Sequence, residues 1–340
     1  NSAFGYNTLG LNTTGTNNIA MGRNALLNNT TADNNTAVGK DSLCANTTGA
    51  KNIAIGSCAL QKNTTAGENV GIGQQALQCN VTGIHNTGIG AGALLKNTDC
   101  RNVAIGYHSL LCNTSGESNT AIGYNSLDAN TTADCNTAIG KDSLTANTTG
   151  AQNVAFGSGA LCTNTTGCRN IGIGYNSLAV NTTGCCNVSI GRASLDANID
   201  GDFNTAVGTN SLSGNTTADG NTAIGYLAMN STTTGGYNTT LGLCALHGNT
   251  DCSFNVAVGG YALKSNDASE NTALGYIALC DNTTGTNNTA VGRSALCDNT
   301  TGSCNIAIGH QAMDSTTTSS SNIAIGFQAL QATNTNGSNL

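Results

Sequence analysis

A 17-residue repeat runs through the whole sequence and constrains its fold more than any other feature. Each repeat, or rung, begins at an asparagine, and NTAIGKDSLTANTTGAQ at residues 136–152 is representative. Twenty rungs follow one another, and only those that begin at Asn86 and Asn255 are one residue shorter. Asn339 and Leu340 open a further rung. Because so short a period is typical of solenoids, the sequence predicts one continuous repeat domain over residues 1–340.

The positions of a rung, which we number as columns from its asparagine, predict its local structure. Column 1 is always Asn, column 3 is always small, column 4 is always apolar and column 5 is always Gly. This alternation predicts a strand, which the glycine ends either through a positive φ or because another backbone passes close by. Column 9 is Leu or Met. We expect a second strand through columns 8–11, with the side chains of columns 4 and 9 both buried. Column 12, usually Asn before Thr-Thr, predicts a turn.

The fold class follows from stacking these rungs. The apolar columns do not have the 3.6-residue period of a helix, so the sequence predicts an all-β protein, a parallel β-solenoid or β-roll. Rungs about 4.8 Å apart would extend on the order of 95 Å in total. We expect the amides of column 1 to form a ladder, each bonded to its copies above and below.

Columns 1, 3 and 5 share one face of the predicted strand, and no rung carries a charged residue in column 3 or 5. Two interpretations account for this. Either a neighbouring chain packs closely against the face, or the face lines the narrow interior of its own rung. The first interpretation predicts that chains associate through columns 1, 3 and 5.

Composition excludes several classes of protein. The net charge of −7 offers no basic stripe for nucleic acid. No apolar run approaches the roughly 20 residues of a membrane helix. With no proline and only 9% charged residues, the chain does not have the composition of a disordered protein. Because it starts in mid-pattern without a signal peptide, we expect a mature or partial segment.

The pattern Asn-[Thr/Ile/Val]-Ala-[Ile/Val]-Gly-x-x-[Ala/Ser], as at residues 136–143, resembles the head repeats of trimeric autotransporter adhesins of the YadA type. Similar repeats occur in tail fibres of phages and large viruses. The resemblance covers all twenty rungs. It implies a left-handed β-roll, three chains side by side, and a segment of a longer extracellular fibre or spike at a cell or virion surface. The implied partners are further copies of the chain and, as binding targets, surface glycans or a host receptor.

The fifteen cysteines favour disulfides in an oxidising compartment over zinc, because no CxxC pair occurs. Cys280 and Cys297 share column 10 of consecutive rungs, and Cys168 and Cys185 share column 16, where Cys186 competes with Cys185. Stacking puts each pair of Cα atoms about 4.8 Å apart, within the ~4.4–6.8 Å range of disulfides. Cys79 and Cys112 share column 11 two rungs apart, too far to bridge. The alternative is that all fifteen are free thiols.

Two ladders of surface residues are candidate sites. Column 12 begins thirteen Asn-x-Ser/Thr sequons on turns that we expect to be exposed, although turn asparagines create sequons as a by-product; they are Asn12, Asn29, Asn46, Asn63, Asn80, Asn113, Asn130, Asn147, Asn164, Asn181, Asn215, Asn282 and Asn299. Column 6 holds six tyrosines, with Arg or Lys in five other rungs, as a candidate ridge for sugars or a partner; they are Tyr6, Tyr107, Tyr124, Tyr175, Tyr226 and Tyr276. Turn side chains that cover the sheet edge are the alternative.

Catalysis has no support in the sequence. No two of the four histidines share a column, and no triad or carboxylate pair recurs with them. The stretch Asp196-x-Asn198-x-Asp200-Gly201 matches the first half of a calcium loop, but Val207 stands where the bidentate carboxylate belongs. We expect no metal and no cofactor. The sequence favours a structural, adhesive fibre that is not an enzyme, and the alternative is an ice-binding β-solenoid.

Overall fold

A computed structural model describes residues 1–331 and confirms the β-solenoid class. The chain forms two compact units, residues 1–169 and 170–340. All twenty strands have three residues, in columns 2–4 of their rungs, and residues 1–331 contain no helix. The N-terminal unit contains β1 Ser2–Phe4, β2 Ile19–Met21, β3 Thr36–Val38, β4 Ile53–Ile55, β5 Val70–Ile72, β6 Thr87–Ile89, β7 Val103–Ile105, β8 Thr120–Ile122, β9 Thr137–Ile139 and β10 Val154–Phe156. The C-terminal unit contains β11 Ile171–Ile173, β12 Val188–Ile190, β13 Thr205–Val207, β14 Thr222–Ile224, β15 Thr239–Leu241, β16 Val256–Val258, β17 Thr272–Leu274, β18 Thr289–Val291, β19 Ile306–Ile308 and β20 Ile323–Ile325.

Within each unit the strands stack in parallel, and each strand residue lies opposite the residue of the same column in the next rung. Ala121 of β8 is opposite Ala138 of β9, which is opposite Ala155 of β10. The C-terminal unit has the same register, as between Ala206 of β13 and Ala223 of β14. The predicted further rung at Asn339 lies outside the described residues.

The inside and the outside of the strand are the reverse of the prediction. Column 9 is buried as expected, with Leu144 fully inaccessible. Column 4 is not: Phe156 is 54% exposed, whereas its neighbour Ala155 in column 3 is fully buried. Successive residues of a strand point to opposite sides, so either columns 1 and 3 or columns 2 and 4 can point inward. The column 9 side chain already fills the interior, so only the small residues of column 3 fit there. At Gly71 in column 3, an added Cβ would already lie 3.3 Å from Leu60 Cγ. The small residues of column 3 therefore line the interior of their own rung, the second of the two interpretations above.

The predicted second strand is absent from residues 1–331. Columns 8–11 form turns, in which column 9 has a positive φ, as at Leu144 (φ 50°). Column 7 also has a positive φ, as at Asp142 (φ 54°). Two left-handed residues so close together cannot form an extended strand. Neighbouring rungs are nevertheless joined here, since the Leu144 amide donates to the Ala160 carbonyl at 3.0 Å.

The column 5 glycine is required for both of the reasons that the sequence left open. Gly140 has φ 136°, a backbone conformation that residues other than glycine rarely adopt. An added Cβ would also lie 2.5 Å from the carbonyl oxygen of Gly157 in the next rung. Any larger residue would therefore both strain the backbone and separate two rungs.

Column 1 forms the expected amide-to-amide ladder only in places. Asn136 Oδ1 accepts the backbone N–H of Asn153 at 2.9 Å, and this pattern recurs along both units. The Nδ2 group of Asn119 donates to the column 15 carbonyl of Ala133 at 2.8 Å and makes only a longer bond, at 3.3 Å, to Asn102 Oδ1 in its own column. A more continuous ladder of side-chain amides lies in column 12, where Asn130 Nδ2 donates to Asn113 Oδ1 at 2.8 Å. Both asparagine columns are buried and hydrogen-bonded, so they belong to the core.

Candidate interaction surfaces and side-chain clusters

The outward side of the strands, which we call the strand face, consists of columns 2 and 4. Column 4 is apolar in every rung and column 2 holds Thr, Ile, Val or one Ser, so neither column carries a charge. In the N-terminal unit Phe4, Met21 and Phe156 of column 4 are exposed, and in the C-terminal unit Ile190, Leu241 and Leu274 are exposed. Because the strands are in register, each unit presents these side chains in two straight rows. The strand face is a surface that sequence reasoning missed, since it assigned column 4 to the core.

The six column 6 tyrosines are all exposed, as the candidate ridge requires, but most do not touch one another. Tyr107 and Tyr124 stack with ring centroids 5.4 Å apart, and His108 stacks on Tyr107 at 3.8 Å. Tyr276 makes an edge-to-face contact with Tyr261 of column 7, with ring centroids 6.2 Å apart, and Tyr6, Tyr175 and Tyr226 stand singly among other residue types in the column. The six tyrosines thus form one stacked pair within their column where the sequence suggested a ridge.

The expectation that the thirteen sequon asparagines lie on exposed turns is wrong. Twelve are fully buried in the column 12 ladder, and only Asn12 in the first rung is half-buried. Asn147, for example, donates from Nδ2 to Asn130 Oδ1 at 3.1 Å and to the Gly150 carbonyl at 2.9 Å. Glycosylation replaces a hydrogen on this nitrogen, so a folded rung does not offer it as an acceptor. The turn is exposed through its threonines instead, as at Thr132.

The cysteine register agrees with the prediction where the structure describes it. The Asp281 amide donates to the Cys297 carbonyl at 3.0 Å, which places Cys280 and Cys297 in neighbouring turns. Both are free thiols, and they lie close enough for each to shift the pKa of the other. The rung between Cys79 and Cys112 places Lys96 in their column, with its Nζ 3.8 Å from Cys112 Sγ. Cys168 lies in the last rung of the N-terminal unit and Cys185 in the first rung of the C-terminal unit, and a bond between them stays a prediction.

An ionic row crosses three rungs in column 17. Lys51 Nζ lies 2.9 Å from Glu68 Oε1, and His85 Nε2 lies 2.6 Å from Glu68 Oε2. The hydrogen bond from Lys51, and next that from His85, lowers the pKa of Glu68 below its ordinary value. These side chains border a shallow cavity of about 220 Å³ that Ala50, Thr65 and Ile84 also line. All three partners are exposed, so the row contributes little to stability.

Two clusters in residues 1–331 bring three potential metal ligands within 4.8 Å of one another: Asp251 with Cys252 and Asp267, and Cys297 with Asp298 and Asp314. The calcium-like stretch is in neither cluster. Its Asn198 is buried in the column 12 ladder, where Nδ2 donates to Asn181 Oδ1 at 2.8 Å. Asp202 Oδ1 accepts the Cys185 amide at 2.6 Å. The stretch is therefore an aspartate-rich turn whose side chains point to different partners.

Comparison with known protein families and with curated proteins finds no match for this chain. Its class is defined by its own geometry, a parallel β-solenoid with 17-residue rungs and buried asparagine ladders. Among residues 1–331 there is no helix long and apolar enough to cross a membrane.

Proposed function

We propose that this protein is a structural and adhesive fibre protein whose chains associate side by side through the strand face. The observation that carries the proposal is that column 4 is apolar in every rung and yet is directed outward. An exposed, contiguous apolar surface is unusual on a monomer and typical of an interaction site. The occupant that fits best is a second copy of the chain, because two rows of equal spacing match rung for rung.

The energetics support association. Complete burial of a large apolar side chain contributes about 1.5–3 kcal/mol, so a half-exposed residue such as Leu241 would add on the order of 1 kcal/mol when covered. A row of such side chains adds many small contributions along each unit. The strand face has no charge in any rung, so close approach of two copies leaves no ion unpaired.

The homotrimer is the arrangement that the resemblance to trimeric adhesin heads implies, and three strand faces would then enclose a common apolar axis. An extracellular position at a cell or virion surface belongs to the same proposal. The turns and the column 6 tyrosines would stay outward in such an assembly. Tyr107 and Tyr124 with His108 are the exposed aromatic group best placed to contact surface glycans or a receptor.

Ice binding is the second candidate, because column 2 of the strand face is Thr in nine rungs. Against it, column 4 offers no threonine, so each rung presents at most one hydroxyl beside an apolar side chain. Thermal hysteresis of the purified chain tests this candidate directly.

Sedimentation of the purified chain tests the fibre proposal. Wild-type protein is expected to sediment as an oligomer, a trimer in its simplest form. Changing Phe156→Lys and Leu241→Lys together places one charge on the strand face of each unit and is expected to give monomers. The matched control, Thr132→Lys with Thr217→Lys, adds the same charges to exposed turns and is expected to remain oligomeric. A wild-type chain that is monomeric at micromolar concentration contradicts the proposal.

A further inference from the structure

Three consecutive rungs of the C-terminal unit bring thiols and carboxylates together on their turns. Column 10 holds Cys280, Cys297 and Asp314 in succession, and Asp298 follows Cys297 in column 11. One ligand atom from each of Cys297, Asp298 and Asp314 lies within 4.8 Å of the other two. Cys280 occupies the same column in the preceding rung, which the bond from the Asp281 amide to the Cys297 carbonyl at 3.0 Å joins to the next, so its thiol lies beside the cluster.

We infer that Cys280, Cys297, Asp298 and Asp314 form a binding site for a thiophilic divalent cation of the zinc and cadmium class. Two thiolates and two carboxylates are ligand types that Zn²⁺ accepts in tetrahedral sites, and the thiolates disfavour Mg²⁺ and Ca²⁺. The site is separate from the strand face, because columns 10 and 11 belong to the turns. It does not depend on self-association.

The geometry needs only a small closure. With Zn–S bonds of about 2.3 Å and Zn–O bonds of about 2.0–2.2 Å, neighbouring ligands of a tetrahedral ion lie roughly 3.3–3.8 Å apart. The ligand atoms of Cys297, Asp298 and Asp314, which lie within 4.8 Å of one another, can reach that separation by side-chain rotation, and the Cys280 side chain completes the set by turning toward them from the preceding rung. Asp298 is exposed, so the core does not restrict its rotation. The two cysteines and Asp314 are half-buried, which limits competition from water.

Charge around the cluster favours a cation. Asp281 is a further carboxylate beside the two thiols, and Lys264, one rung before Cys280, is the positive group at the other end of the column. Binding exchanges the thiol protons for the metal: one M²⁺ enters, two S–H bonds break, two metal–sulfur bonds form and two protons leave.

The second cluster is an internal comparison. Asp251, Cys252 and Asp267 have the same spacing limit but only one thiol. With only one thiol, this cluster is expected to bind a thiophilic cation much more weakly than the two-thiol cluster does.

Titration of the reduced full-length chain with Cd²⁺, followed by sulfur-to-metal charge-transfer absorption and by metal analysis, tests the inference. Wild type is expected to bind one tightly held Cd²⁺ that Cys297→Ser and Cys280→Ser each remove. Asp314→Asn is expected to weaken it at least tenfold. Cys79→Ser, which changes a half-buried cysteine in another column, and Cys252→Ser are expected to leave it unchanged. The Phe156→Lys, Leu241→Lys variant should also retain the site, which separates this inference from the fibre proposal.

Equal Cd²⁺ stoichiometry and affinity in wild type and Cys297→Ser would overturn the inference. So would uptake that Cys79→Ser reduces as much as Cys297→Ser does. A measurement on wild type alone covers the case in which a cysteine variant fails to fold. Zn²⁺ is expected to slow amide exchange in the rungs from Asn271 to Ser321 and not in those from Asn35 to His85, and equal rates with and without Zn²⁺ in both regions also refute the site.

Discussion

Replacing Thr232 with asparagine should stabilise the C-terminal unit by repairing a break in the column 12 ladder. In an intact rung, Asn130 Nδ2 donates to Asn113 Oδ1 at 2.8 Å and to the Ala133 carbonyl at 3.1 Å. Thr232 takes the same place in its own rung, and its hydroxyl donates to the Asn249 carbonyl at 3.1 Å. A threonine has no second donor, so the buried Oδ1 of Asn215 in the preceding rung has no hydrogen-bond partner among the described residues.

The magnitude follows from these bonds. An unsatisfied buried acceptor costs about 1–3 kcal/mol, and a typical hydrogen bond contributes about 1 kcal/mol net. Thr232→Asn supplies the donor for Asn215 Oδ1 and a second bond to the Gly235 carbonyl, and it gives up the bond of the threonine hydroxyl. The last two changes nearly cancel. We expect a net gain of about 1–3 kcal/mol, and the buried asparagines of the same column show that the side chain fits.

Amide hydrogen exchange is the suitable assay, because each rung of a solenoid opens with its neighbours and a global midpoint averages over all of them. Amides in the rungs around residue 232 are expected to exchange about 5- to 150-fold more slowly in Thr232→Asn. The mirror variant Asn130→Thr should orphan Asn113 Oδ1 and accelerate exchange in the N-terminal unit by a similar factor. Thr232→Val, which leaves Asn215 unpaired, is the control and should give no gain. Unchanged exchange in both Thr232→Asn and Asn130→Thr would refute the ladder argument.

Four further predictions concern the core, the backbone, a half-buried acid and the thiols. Leu144→Asp should destabilise its rungs by several kcal/mol because it buries an unpaired charge, whereas Ile139→Asp, directed outward, should leave the fold intact. Circular dichroism during thermal melting separates the two variants. Equal losses of stability would contradict the assignment of the faces. Ile277 has φ 51°, which a β-branched residue tolerates poorly, so Ile277→Asn should stabilise the chain by about 1 kcal/mol in urea denaturation, and a loss would argue against backbone strain. Burial raises the pKa of Asp196. Protonated Asp196 therefore stabilises the fold below the ordinary aspartate pKa, and this contribution is lost as the pH rises through the raised pKa. Asp196→Asn should be more stable than wild type at pH 7 and not at pH 3 in paired urea titrations. Under an oxidant, peptide mapping should find Cys280 linked to Cys297 and never Cys79 linked to Cys112, since a linkage of the latter pair would require another register.

The repeat predicted the fold class because a period of 17 with a glycine in every rung admits few other structures. It did not predict which side of the strand faces inward. Columns 2 and 4 are more apolar than columns 1 and 3, and hydrophobicity alone assigns them to the core. The deciding factor is volume, since Leu144 already occupies the interior and only a residue as small as Ala138 fits beside it. An asparagine such as Asn119 joins the same side because its Oδ1 and Nδ2 atoms are both hydrogen-bonded there.

The positive φ of column 9 could have been predicted from the residue types that this column contains. Column 9 is always Leu or Met and never Ile or Val, although β-branched residues are common in columns 2 and 4. A branched Cβ is disfavoured at the φ of 50° that Leu144 adopts, whereas the unbranched Cβ of Leu or Met is tolerated. The exclusion of Ile and Val from an apolar column therefore predicts a turn in place of the second strand.

Some candidate sites could be predicted from the residue types of a single column, whereas others depend on contacts between residues of different rungs. Column 6 exposure could be predicted from the column alone, because it holds charged, polar and aromatic residues in different rungs. The cluster around Cys297 could not, since Asp314 joins it from 17 residues away and no local metal motif marks the pair. Only the stacking register brings such residues together.

The surface columns 4 and 6 differ in the residue types that they hold. Turn columns that lie on the surface accept any residue type, and column 6 holds Lys141, Ser158 and Tyr175 in consecutive rungs. Column 4 lies on the surface too, but it holds only Phe, Met, Val, Ile and Leu. The core of the chain cannot impose this restriction, because the column points away from it. A restriction that the chain itself does not require is the one expected when a second chain covers the face.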